Sequence, residues 1–280
     1  MKRRYIQSIA GCILALGTLL TLHTLTTDAQ TTGDDQQLLS HHTNTPTPSF
    51  PSITIGSYTV SEEEIQYALT RVRNTVIKET APKETSIGSD YFLSDAKNSP
   101  SAHAATQALD YVHRRFSFYS TAYEAKLVDS PTWDSLVERY KKENQKRSEI
   151  LKSHSTPERS TEDGSSMPKD TLYGVQQFNL DTFISYEMSA LSQRYCADEN
   201  LPGMNISESD IQQYYANHQW EIDSTDGTDT PSLEKIRPNV AAALRTSIFE
   251  DIVEKRIESE NIMVTDQKAL ISYASAFLSK

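Results

Sequence analysis

Two serine–lysine pairs have the spacing of a nucleophile and its base: Ser94-Asp-Ala-Lys97 and Ser232-Leu-Glu-Lys235. Enzymes that use an S-x-x-K pair complete it with S-D-N and K-T-G, and this chain has neither. In a serine-rich sequence such matches arise by chance. Asp223, Asp226, Asp229 and Glu234 carry the oxygen ligands calcium prefers. The EF-hand loop, however, needs glycine at its sixth position, and counted from Asp223 the glycine, Gly227, falls at the fifth. His41-His42 are adjacent imidazoles on a polar linker and make poor metal ligands. Cys12 lies in the apolar N-terminal stretch, so Cys196 has no partner for an internal disulfide and reads as a small buried hydrophobe. H-E-x-x-H, C-x-x-C, the P-loop, G-x-G-x-x-G and G-x-S-x-G are all absent from the sequence. No catalytic residue, metal or cofactor is assigned.

What remains is aromatic. Tyr111, Phe116, Phe118, Tyr119 and Tyr123 recur along one stretch. Such stripes pack between amphipathic helices, or they line a groove that holds unfolded chains, because aromatic rings give large contact area at low entropic cost. On the second reading Tyr119, Tyr123, Trp133, Tyr140, Phe183 and Tyr214 are the candidate client-binding residues.

Helices must position these rings. Ser61-Glu-Glu-Glu64 has the form of a capping box, in which the serine hydroxyl and Glu64 each satisfy a free amide. Ile65, Leu69, Val72 and Val76 follow at helical spacing, and Pro82 ends that helix. Ser99-Pro100 places a cap before a proline at the first helical position, and Ser130-Pro131 repeats the signal. A fourth helix is expected over 179–197, a fifth from the Ser207 cap, and a long one over 233–260 with Pro238 in its first turn or kinking it. Residues 265–280 read as a tail with a short helix. Ile53-Thr-Ile55 and Tyr58-Thr-Val60 suggest a short extended piece, but clear strands are nearly absent. The fold class is all-α.

The hydrophobic share is 37%; leaving out tyrosine and including glycine, it is about 35%, below the ~45–50% usual for globular chains, so part of the chain does not form core. Met1-Lys-Arg-Arg4, an apolar run from Ile9 to Leu25, and Thr27-Asp-Ala29 have the three-part layout of a secretory signal over residues 1–29. That segment is cleaved, retained as an anchor, or lipidated at Cys12, where Ile9-Ala-Gly-Cys12 resembles a lipobox. Residues 30–57 are polar and proline-bearing and read as a disordered linker. The net charge is −11; removing residues 1–29 takes away three positive charges and one negative and leaves −13. So acidic a body repels nucleic acid and anionic lipid, and membrane contact is expected only through the N-terminal segment.

Three stretches then form a recognisable order. They are Leu136-x-x-x-Tyr140-x-x-Glu143-Asn144-x-x-Arg147; Tyr173-Gly174-x-x-Gln177-Phe178 followed by Tyr186; and Ile206-Ser207-Glu208-x-Asp210-Ile211-x-x-Tyr214-Tyr215-x-x-His218. With the returning segment from Ile236 to Val264, the chain resembles the SurA/PrsA family of extracytoplasmic chaperones and foldases over roughly residues 60–264. The resemblance implies a multi-helix chaperone domain over 58–264 with a long C-terminal helix. It further implies a setting outside the cytoplasmic membrane, secreted or anchored there, and unfolded or newly exported polypeptides as partners. Many relatives insert a parvulin-type prolyl isomerase domain between the helix that carries Tyr214-Tyr215 and the long returning helix. Here only Glu221 to Leu233 separates them, a domain needs about 100 residues, and the chain contains no Gly-Gly. Three functions stay open: a non-catalytic chaperone, a peptidyl-prolyl cis-trans isomerase by family analogy, and a non-catalytic structural or interaction protein of the cell envelope.

Overall fold

Apolar residues at helical spacing, each run opened by a cap, give this chain its architecture. The computed structural model describes residues 49–81, 88–94, 96–154, 177–220 and 231–280. All of them lie in one unit, Thr45–Lys280. The signal segment, Cys12, His41-His42, Asp223, Asp226, Gly227, Asp229, Tyr173 and Gly174 lie outside the described residues. Among the described residues no helix is long and apolar enough to cross a membrane.

The mainly helical class expected from the sequence is the class observed. Strands β1 (Ile53–Ile55) and β2 (Tyr58–Thr59) form a tight hairpin. Gly56, at φ +55°, takes the left-handed position its two-residue turn demands. Helix α1 (Glu62–Thr80) follows, then a 3-10 turn over Ser89–Phe92, then α2 (Pro100–Glu124) and α3 (Trp133–His154). Next come α4 (Leu180–Ala197), α5 (Glu208–Ala216) and α6 (Leu233–Ser259). β3 (Ile262–Val264) brings the chain back to pair antiparallel with β1, in the order β2-β1-β3, and α7 (Gln267–Leu278) closes the sequence.

Helices α2 and α6, about 38 and 40 Å long at 1.5 Å per residue, organise the rest. The first half of α2 packs with the sheet, α1 and α7 around Ile53, Leu69, Val112 and Leu270. Its second half packs with α3, α4 and the end of α6 around Tyr119, Leu136, Ile184 and Phe249. The start of α6 packs on α5 in a smaller cluster of Ile211, Ile236 and Val240.

Several expectations need correcting. Ile53 and Ile55 fall inside the stretch read as linker, yet both are buried in the core, because β3 supplies a pairing partner more than 200 residues later. The short helix expected within residues 265–280 is α7, and it belongs to the core: Leu270, Tyr273 and Ala274 are buried against α1 and α2. Half of the Ser61 capping box is missing. The Ser61 hydroxyl accepts the Glu64 amide, but the Glu64 carboxylate turns into the core to meet Arg115 and Tyr58. Helix α3 starts two residues after the Ser130-Pro131 signal, with Thr132 Oγ1 accepting the Ser135 amide at 3.4 Å. Pro238 sits in the second turn of α6, where the helix continues through it.

Candidate functional site

The six aromatic residues proposed as a lining do not meet in one cradle. Tyr119 is 0% exposed and donates its hydroxyl to Glu187 Oε2 at 2.8 Å. Burial, then the charge of Glu187, pushes this phenol well above its ordinary pKa. Trp133 is buried beside Tyr67, with its ring 5.2 Å from the Arg115 guanidinium. Phe183 is buried between Tyr140 and Phe178. These three build the core. Tyr123 is 49% exposed at the end of α2, beside a shallow depression formed with Glu124, Lys126, Val128 and Asp129. Tyr140 and Tyr214 are half-buried, on α3 and α5.

Helices α3 and α4 join the first two stretches that carried the family resemblance. Asn144 grips the backbone of Phe178 with both ends of its amide: Nδ2 donates to the Phe178 carbonyl and Oδ1 accepts its N–H, each at 2.8 Å. The Arg147 guanidinium lies 3.8 Å from the Phe178 ring centroid, and Glu143 accepts from its Nε at 2.8 Å. Phe178 in turn packs against Tyr186, which is 50% exposed. Arg139 clamps Glu187 through two bonds, 2.7 and 3.1 Å, and ties the same pair of helices together deeper in. These residues hold the rings in place; they carry no reacting geometry.

Helices α5 and α6 leave a groove of about 430 Å3. Leu244 and Ile248 of α6 and Ile206 of the loop before α5 give it an apolar floor, and Tyr214 of α5 and His218, two residues past the end of that helix, form a wall. Those two rings stack with centroids 3.9 Å apart, and His218 Nδ1 lies 2.7 Å from the Tyr214 carbonyl oxygen. A complete capping box starts α5: the Asp210 amide donates to Ser207 Oγ at 3.2 Å, and the Ser207 amide donates to Asp210 Oδ2 at 2.8 Å. The Ser207 hydroxyl, donating to Asp210 Oδ2 at 2.6 Å, and then the Ser207 amide hold the Asp210 carboxyl below its ordinary pKa. Ser207 thus caps a helix, as the sequence suggested. Arg245 straps the loop to α6, donating to the Met204 carbonyl at 3.1 Å and pairing with Glu199.

Gly203 forms the lip of the groove. Its φ is +79°, and a Cβ there would stand 2.6 Å from Ile248 Cγ2. Only glycine meets both conditions. Beyond Ile248, Glu250 and Asp251 continue the helix. Burial, with Glu250 and Asp251 adding to it, raises the Tyr214 phenol, and Ser247 works in the opposite direction. Burial, then Asp251 and Glu254, raises the Glu250 carboxyl.

The serine–lysine pairs play local parts. Ser232 takes the N-cap position of α6, and Ser94 Oγ accepts the amide of Ala96. Among the described residues no three His, Cys, Asp or Glu side chains are placed to hold a metal. Leu244, Ile248 and Tyr214 were visible in the sequence as helix-stripe residues. That they face one another across an open groove was not, since a stripe does not state its partner. Gly203, after Pro202, was the overlooked signal.

The chain is 34% identical over 167 residues to a protein of Bifidobacterium longum subsp. longum named chaperone for lacto-N-biosidase. The match covers 60% of this chain and 53% of that relative, so the chain spans about half the length of the curated relative it matches. No family model matches the chain. No solved structure matches it either.

Proposed function

We propose that this protein is a non-catalytic chaperone that works outside the cytoplasmic membrane and holds an exported polypeptide until it folds. One observation carries the reading: the likeness to a chaperone over 60% of the chain. The order of the three aromatic stretches supports a SurA/PrsA-type domain. The basic and apolar N-terminal segment supports export. The first client to test is a secreted enzyme of the lacto-N-biosidase class, the client in the relative's name.

The physical work is modest at each contact. An unfolded client exposes apolar side chains, and each gains about 25 cal/mol per Å2 when it leaves water. Tyr123, Tyr140, Tyr186 and the Tyr214 groove offer such surface at separate places on the body. Tyr119, Trp133 and Phe183 act from beneath by fixing the helices. Several weak contacts together lower the free concentration of the unfolded chain and slow its aggregation, without driving the client to one conformation.

Isomerase chemistry has little room. Residues 217–232 are all that separates α5 from α6, far short of the ~100 residues of an inserted domain. The test is refolding of a denatured secreted lacto-N-biosidase, with recovered activity and light scattering followed against molar ratio. Recovery that saturates near equimolar protein, with no change in the proline-limited rate, supports the proposal. Acceleration of that rate at substoichiometric protein would establish the isomerase instead. No effect on either readout at any ratio would leave an envelope interaction protein.

A further inference from the structure

We propose that the groove between α5 and α6 takes a client segment in which apolar side chains stand next to lysine or arginine. The inference rests on the chaperone reading for its occupant and on the groove itself for its chemistry. The floor, Leu244, Ile248 and Ile206, offers only carbon to an aliphatic or aromatic side chain, and Gly203 stands at the lip with its backbone against Ile248. The stacked Tyr214 and His218 give such a side chain a flat wall.

Charge selects the flank. Asp251 lies three residues beyond Ile248 and so continues the same face of α6 by one turn. Glu250 stands beside it, and both act on the Tyr214 hydroxyl across the groove. Several other carboxylates of this body are matched: Glu199 with Arg245, Glu208 with Arg237, Glu254 with Arg114, Glu187 with Arg139 and Glu124 with Arg256. Among the described residues Glu250 and Asp251 form no ion pair, and Glu250 feels Asp251 and Glu254 as like charges. Asp210, on the other wall, is already bonded to the Ser207 amide and hydroxyl. A basic side chain beside the apolar one would meet Glu250 and Asp251, while an acidic one would add to their repulsion. The protein's net charge of −11 acts in the same direction at longer range.

The test uses the full chain and three fluorescent peptides that share one apolar core and carry lysine, serine or glutamate flanks. Anisotropy titrations should give the lysine peptide a Kd about tenfold below that of the glutamate peptide at low salt. The gap should shrink to about twofold near 1 M salt, where the screening length is ~3 Å. Glu250→Gln with Asp251→Asn should remove the preference and leave serine-peptide binding within about twofold of wild type. Leu244→Gln should weaken all three peptides together. Equal binding of the lysine and glutamate peptides overturns the inference, and so does a preference that survives the double variant. A dimer by light scattering that the groove variants dissolve also overturns it, because a second copy would then be the occupant. Client aggregation followed in parallel separates the two readings. Protection without charge preference sinks only this inference; charge preference without protection sinks only the chaperone reading.

Discussion

Neutralising Glu64 should unfold this protein more readily than any surface change. The Glu64 side chain is 1% exposed and that of Arg115 2%, and Arg115 Nη2 donates to Glu64 Oε1 between α1 and α2. Tyr58 donates to the other carboxylate oxygen at 2.6 Å, and the Trp133 amide donates to the Tyr58 hydroxyl at 3.3 Å. One carboxylate therefore joins the hairpin, α1, α2 and the start of α3. Arg115 has no slack: among the described residues its Nε and Nη1 have no hydrogen-bond partner, and its guanidinium lies 5.9 and 5.2 Å from the ring centroids of Tyr119 and Trp133. In Glu64→Gln the cation stays buried and loses its counter-charge, a change that costs about 3–5 kcal/mol. At ~2–4 °C per kcal/mol for a body of this size, Tm should fall by about 6–20 °C. A circular dichroism melt and a urea titration measure both quantities. The double variant Glu64→Leu with Arg115→Met removes both charges and should recover most of the loss, since well-packed apolar replacements of buried pairs are often neutral. A single variant within ~1 kcal/mol of wild type would refute the argument, as would a double variant no better than the single.

Three further outcomes follow from the same geometry. Gly203→Ala should cost about 1–3 kcal/mol in urea titration, and adding Ile248→Ala should relieve the collision but not the strain at φ +79°, so only part returns. His113 is buried on α2 with Nε2 3.9 Å from Glu260, and burial lowers its pKa below 6.5, with Glu260 and Asp110 opposing. The fold therefore favours the neutral ring. Its contribution is full above the ordinary value and is lost as the pH falls below it, so the urea midpoint should drop between about pH 7.5 and 5.5, and His113→Gln should flatten that drop. Burial raises the Cys196 thiol, so a disulfide reagent at neutral pH should modify it at least about tenfold more slowly than a free thiol until urea exposes it.

Local signals were legible in the residues alone. Ser61, Ser99 and Ser207 cap the helices they announced, because a side-chain oxygen beside a free amide acts over three residues and needs no partner from elsewhere. The α6 stripe through Val240 and Leu244 was equally plain. Distant pairing was not. Ile53–Ile55, paired locally with β2, became the buried central strand because Ile262–Val264 returns on its other side, and α7 became core because α1 and α2 present it a face. The aromatic residues divide for the same reason: Tyr119 and Tyr214 occupy similar stripes, but four elements close over the first and two leave the second half open. Periodicity tells which side of a helix is apolar. What covers that side is a property of the assembled chain, and with it goes the difference between a core and a groove.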